Sequence, residues 1–110
     1  MYQYELIEIY MKTKGYSQAK QASSDLGISG AQITRIKTGE RKIDEETAIY
    51  IAERCGLDVS EVLIKLQAEK AKSEPEKAAW AEILKKYKAH ALESIQGLAM
   101  SLKANLINFA

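Results

Sequence analysis

The sequence predicts an all-α protein, a five-helix domain followed by a C-terminal helical extension. Three observations carry that expectation. Apolar residues recur at steps of three and four along nearly the whole chain, and no stretch alternates with the two-residue period of a strand. Proline occurs once in 110 residues, at Pro75. Helical patterns end directly on Gly15, Gly27, Gly39 and Gly56, the residue type that most readily makes the left-handed exit from a helix.

Each element follows from its own residues. Tyr4, Leu6, Ile7, Ile9, Tyr10 and Met11 fill a first helix that stops near Lys14-Gly15. A second runs from Ser17 or Gln18 to Leu26. Ser29 and Gln32 have the spacing of a capping box, in which the hydroxyl takes the amide three residues on and the glutamine reaches back. They open a third helix over 29–38, with Ile33 and Ile36 facing in and Arg35 and Lys37 facing out. Residues 40–43 form a loop. Asp44 caps a fourth helix along Ala48, Ile51, Ala52 and Cys55, and Asp58 with Glu61 opens a fifth along Val59, Val62, Leu63 and Leu66.

Beyond Leu66 the chain turns polar, and residues 67–72 read either as a gap or as the exposed end of helix five. Ser73, Pro75 and Glu76 signal a new helix start, followed by Ala78, Ala79, Trp80, Ile83, Leu84 and Tyr87. Leu92, Ile95, Ala99, Leu102, Leu106 and Phe109 then alternate steps of three and four, the spacing of a heptad seam. So short a helix needs a partner surface. Self-association with a second copy is the expected use, with packing on the chain's own core as the first alternative and membrane contact or disorder as the last. The tail is poor in charge, yet Glu93, Gln96, Lys103, Asn105 and Asn108 make membrane spanning expensive. The expected division is therefore 1–72, the five-helix domain, and 73–110, a helical oligomerisation segment.

The formal charge of +1 hides a segregation. Residues 1–43 carry seven Lys/Arg against four Asp/Glu, residues 44–76 four against nine, and residues 77–110 five against two. A basic N-terminal part beside an acidic middle suits one surface facing a polyanion, though an ordinary mixed surface gives similar counts. The single cysteine cannot form an internal disulfide, and the N-terminus has neither the basic start nor the apolar run of a signal peptide. A reducing, cytoplasmic setting is expected.

With Asp25-Leu-Gly-Ile-Ser29, Ile33-Thr-Arg-Ile36 and Lys37-Thr-Gly39 in view, residues 17–56 resemble the lambda-repressor-like helix-turn-helix family of Cro/CI or XRE type. Gly39-Glu-Arg-Lys42, Asp44-Glu-Glu-Thr-Ala48, Ile51-Ala-Glu53, Gly56-Leu-Asp58 and Ala68-Glu-Lys-Ala-Lys72 with Trp80 further resemble small phage- and prophage-encoded proteins of that class. The tail after Tyr87 lies outside the likeness. The resemblance implies that helix two lies over the DNA backbone and helix three reads the major groove. Gly30, Ala31, Thr34 and Arg35 fall where family members contact bases. Two of those four lack a hydrogen-bonding side chain, a departure that leaves less for direct readout and more for close backbone approach at Gly30 or for DNA shape. Arg35 suits a guanine O6/N7 pair, Thr34 or Ala31 a thymine methyl, and Gln32 a base edge or a phosphate. Lys37, Thr38, Arg41 and Lys42 are the first candidates for phosphate contact. Ser17, Gln18 and Lys20, at the start of helix two, come second, together with the cap Ser29.

The implied partner is double-stranded DNA, bound by a homodimer or higher homo-oligomer in a bacterial host. No cofactor, metal, membrane or small-molecule ligand is expected. Cys55 on an apolar stripe reads as a small hydrophobe, and His90 has no companion at ligand spacing. The six tyrosines read as core-edge rings with a wet hydroxyl, and Trp80 as packing rather than a base-stacking platform. Paired carboxylates in an apolar setting, a Cys/His pair and a phosphate loop are all missing from the sequence, which argues against an enzyme. A different class stays open: a protein-interaction module, such as an antitoxin or a host or phage adaptor, built on the same scaffold.

Overall fold

The structure, a computed structural model, describes the backbone of residues 1–109 and the side chains of residues 1–92. Its six helices are α1 (Tyr2–Lys14), α2 (Ala19–Leu26), α3 (Gly30–Thr38), α4 (Glu45–Cys55), α5 (Val59–Lys70) and α6 (Glu74–Phe109), with no strand among the described residues. The start signals act as their chemistry requires. Ser29 Oγ accepts from Gln32 N at 3.1 Å while Gln32 Oε1 accepts from Ser29 N at 3.0 Å. Asp44 Oδ1 takes Thr47 N at 2.9 Å, and Asp58 Oδ1 takes Ser60 N and Glu61 N. Gly15, Gly27, Gly39 and Gly56 all close their helices at positive φ.

The core is a ring of helices around α1, which touches α2, α3, α4 and α5. Leu6, Ile7 and Tyr10 of α1 meet Ala22, Ile28, Ile33, Ile36, Ile43, Ala48, Ile51, Ala52, Val62 and Leu66, all buried. Every helix of the domain thus spends its apolar stripe on the same centre. Tyr10 departs from the expected core-edge ring: it is fully buried and sends its hydroxyl to Asp25 Oδ2 at 2.7 Å.

The open question at 67–72 resolves as continued helix, since α5 runs to Lys70 and buried Ala71 ends it. Ser73 Oγ then accepts from Glu76 N at 3.3 Å, and the chain turns back along α5. The sixth helix and the heptad tail are one continuous helix of 36 residues. At about 1.5 Å rise per residue it is three times the length of α5. Trp80, Leu84, Tyr87 and Ala91 are half-buried. Tyr87 Oη donates to both carboxylate oxygens of Asp58, at 2.9 and 2.8 Å, and Lys88 Nζ pairs with Glu61 at 3.1 Å. Asp58 is the N-cap of α5, so α6 continues beyond the end of its neighbour. Leu92 is exposed; the side chains of Ile95, Ala99, Leu102, Leu106 and Phe109 lie outside the described residues.

Candidate nucleic-acid interface

The interface is built around α3, and its aim is set by what holds α3 from behind. Ile33 and Ile36 are buried, at 2 % and 0 % exposure, against the domain core. Ile28, also buried, pins the turn between α2 and α3, with its amide bonded to Ser23 O at 3.1 Å. By the 3.6-residue period the opposite side then carries Lys37, Gly30, Thr34, Thr38, Ala31 and Arg35, all exposed. Four of these six are small. Their row forms a narrow crest along the helix, with Arg35 and Lys37 as flanks.

Several expected contact groups have an intramolecular partner. Thr34 Oγ1 donates to Gly30 O and Thr38 Oγ1 to Arg35 O, both at 3.1 Å, so each threonine offers chiefly a methyl and lone pairs. Gln32 is half-buried and its Oε1 caps Ser29 N, which leaves the amide –NH₂ for any base or phosphate. Lys37 Nζ stands 5.5 Å from the Tyr4 ring centroid, a cation–π contact that draws it toward α1. Arg35 has no ion pair among the described residues and is the side chain on the crest with its guanidinium fork uncommitted.

At the start of α2, Gln21 Oε1 accepts from both Ser17 N, at 2.9 Å, and Gln18 N, at 3.0 Å. Those two amides are therefore already partnered within the chain. The side chains of Ser17, Gln18 and Lys20 remain exposed there. On the far side of α3, Gly39 at φ 87° turns the chain, and Arg41 N returns to Arg35 O at 3.1 Å. A β-carbon at Gly39 would sit 3.2 Å from the flexible tip of Met1, which can give way, so it is the positive φ that disfavours side chains there. Arg41 is exposed. Lys42 is exposed too, but donates one N–H to Lys70 O at the C-terminal end of α5, at 3.2 Å.

Residues that position these groups were not legible as such. Asp25 Oδ2 accepts from Tyr10 Oη at 2.7 Å and Tyr16 Oη at 2.8 Å, which ties the end of α2 to α1. These two hydroxyls hold the Asp25 carboxyl below the usual carboxylate range, and burial first, then Asp25, pushes the Tyr10 phenol up. Gln3, the second residue of α1, carries no local mark of its role, because its partners lie 40 and 66 residues away. Among the described residues there is no group of three or more His, Cys, Asp or Glu able to hold a metal, and no helix long and apolar enough to cross a membrane.

Comparison with protein families gives two matches that tile most of the chain. A family described as helix-turn-helix matches residues 7–62, just over half of the sequence. A family described as phage related protein matches residues 63–108. The two meet inside α5. Curated proteins and solved structures give no match.

Proposed function

We propose that this chain, which belongs to the XRE/lambda-repressor-like helix-turn-helix family of DNA-binding regulators, is a sequence-specific, phage-type transcriptional repressor. The observation that carries the reading is the bracing of α3: two buried isoleucines behind, a crest of small residues and a free Arg35 in front. Arg35 reads a base, most simply guanine through O6 and N7. Gly30, Ala31 and Thr34 supply close approach and methyl contacts, and Gln32 supplies its remaining amide donors. Lys37, Thr38, Arg41 and Lys42 meet one stretch of phosphates; Ser17, Gln18, Lys20 and Ser29 meet another.

In this reading residues 1–72 bind DNA and residues 73–110 join copies, so that two α3 helices enter successive major grooves of a palindromic operator, about 34 Å apart. Repression is occlusion of the promoter in the cytoplasm of a bacterial host. The phage-related match over most of α6 supports the phage-type origin. A footprint over the DNA upstream of the protein's own gene tests it. A protected, two-fold symmetric site that Arg35→Ala abolishes is expected; protection unchanged by that substitution would overturn the role of α3.

The small-residue crest also favours a second reading, a protein-interaction module on the same scaffold. Capture of a partner protein without DNA, together with no footprint, would decide for it.

A further inference from the structure

Among the described residues Gln3 is the one buried polar side chain, at 2 % exposure. Such a group is costly unless each of its polar atoms finds a partner, and here each does. Gln3 Oε1 accepts from Ile43 N at 2.7 Å, and Gln3 Nε2 donates to Glu69 Oε1 at 3.1 Å. Glu69 in turn accepts from Gln3 N at 3.4 Å and, through Oε2, from Tyr2 N at 2.7 Å. The carboxylate of α5 thus supplies the cap that Met1 does not give α1. One amide side chain links α1, α5 and the loop that leaves α3.

That loop carries Arg41 and Lys42. Its backbone is held at two points: Arg41 N on Arg35 O, within the α3 exit, and Ile43 N on Gln3. The first hold is local, reaching six residues back along the chain to the last turn of α3. The second is long-range, and it decides where the loop sits against the rest of the domain. Gln3 and Glu69 also fall on either side of the stretch matched as helix-turn-helix, residues 7–62.

We infer that Gln3, backed by Glu69, is a positioning residue for DNA binding: it fixes the 40–43 loop so that Arg41 and Lys42 meet phosphates in register with α3. The inference rests on the DNA-binding reading above. Gln3 touches no DNA itself; its effect passes through the Ile43 amide.

The test uses the full chain. Gln3→Met keeps the volume and removes both hydrogen bonds. It should speed exchange of the Ile43 amide and lower the salt slope of log Kobs for operator DNA by about one to two, the loss of one or two phosphate contacts. Adding Arg41→Ala to Gln3→Met should cost less than Arg41→Ala alone, because the contact is already lost. Preference for operator over unrelated DNA, set by α3, should persist. The exchanged pair Gln3→Glu with Glu69→Gln restores the acceptor for Ile43 N and should recover the salt slope. A Gln3→Met protein that is folded by denaturant titration yet keeps the full slope would overturn the proposal, as would additive losses with Arg41→Ala. Absence of DNA binding by the unmodified chain would instead overturn the reading beneath it, whereas the Ile43 exchange rate reads the positioning contact without DNA.

Discussion

The five-helix domain and the long α6 are both helical and both amphipathic, yet they are held by different forces. In the domain, thirteen residues from all five helices and their turns bury against one another. Along α6 the side chains facing α5 are only half-buried, and the fastening groups are polar and reach solvent: Tyr87 on Asp58, Lys88 on Glu61. Ile83 stays 44 % exposed. Apolar burial is cooperative and hard to undo in part, while surface ion pairs contribute little each and yield to salt or acid. The contrast fits the proposed roles, a DNA-reading domain that must keep its shape and an extension that joins copies.

The largest effect that would break this contrast belongs to the core. Ile36→Ala should destabilise the domain by about 2–5 kcal/mol, read as a lowered denaturation midpoint, through the cavity left behind α3. Deleting residues 89–110 should leave that midpoint nearly unchanged. It should lower the mass seen by light scattering and weaken operator binding through lost bivalency; unchanged mass and affinity would make the tail a mere packing element. Arg35→Ala, on the crest rather than in the core, should cost roughly tenfold to a hundredfold in operator affinity with no loss of fold. Asp44→Ala removes the cap on Thr47 N and should cost about 0.5–2 kcal/mol of stability.

The smallest effect sharpens the comparison by pH. The Tyr87 hydroxyl and the α5 amides hold the Asp58 carboxyl below its ordinary range, and Lys88 does the same for Glu61. Depressed carboxylates contribute stability that is fully present above their unfolded pKa, about 4, and lost as pH falls through the lower folded values. Acid should therefore loosen α6 from α5, and the emission of Trp80, the sole tryptophan, should redden below about pH 4. The helix signal of the domain should persist further down, although Asp25 and Asp44 are depressed as well and set its own acid limit. Simultaneous loss of both signals would show that α6 and the domain melt as one unit.

Much of the fold could be read from local pattern. Ser29 with Gln32, Asp44 and Asp58 start their helices because a short side-chain oxygen reaches amides two or three residues on, and glycines end four of them because a left-handed residue needs no partner beyond its own turn. Ile33 and Ile36 point inward by helical period alone. The candidate site was legible to the same depth, as an exposed face of α3 that carries Arg35.

What the chain's own order could not decide were pairings between distant residues. Lys42 leans on the end of α5, Lys37 on Tyr4, and Gln3 joins Ile43 to Glu69. Tyr10 is core rather than rim because Asp25 of α2 comes to meet its hydroxyl. Sequence by itself determined the helices, their caps and the inward stripe, because each depends on neighbours within about one turn. Only the tertiary structure decided which donors face solvent and which are already spent, because that depends on what the fold brings alongside them.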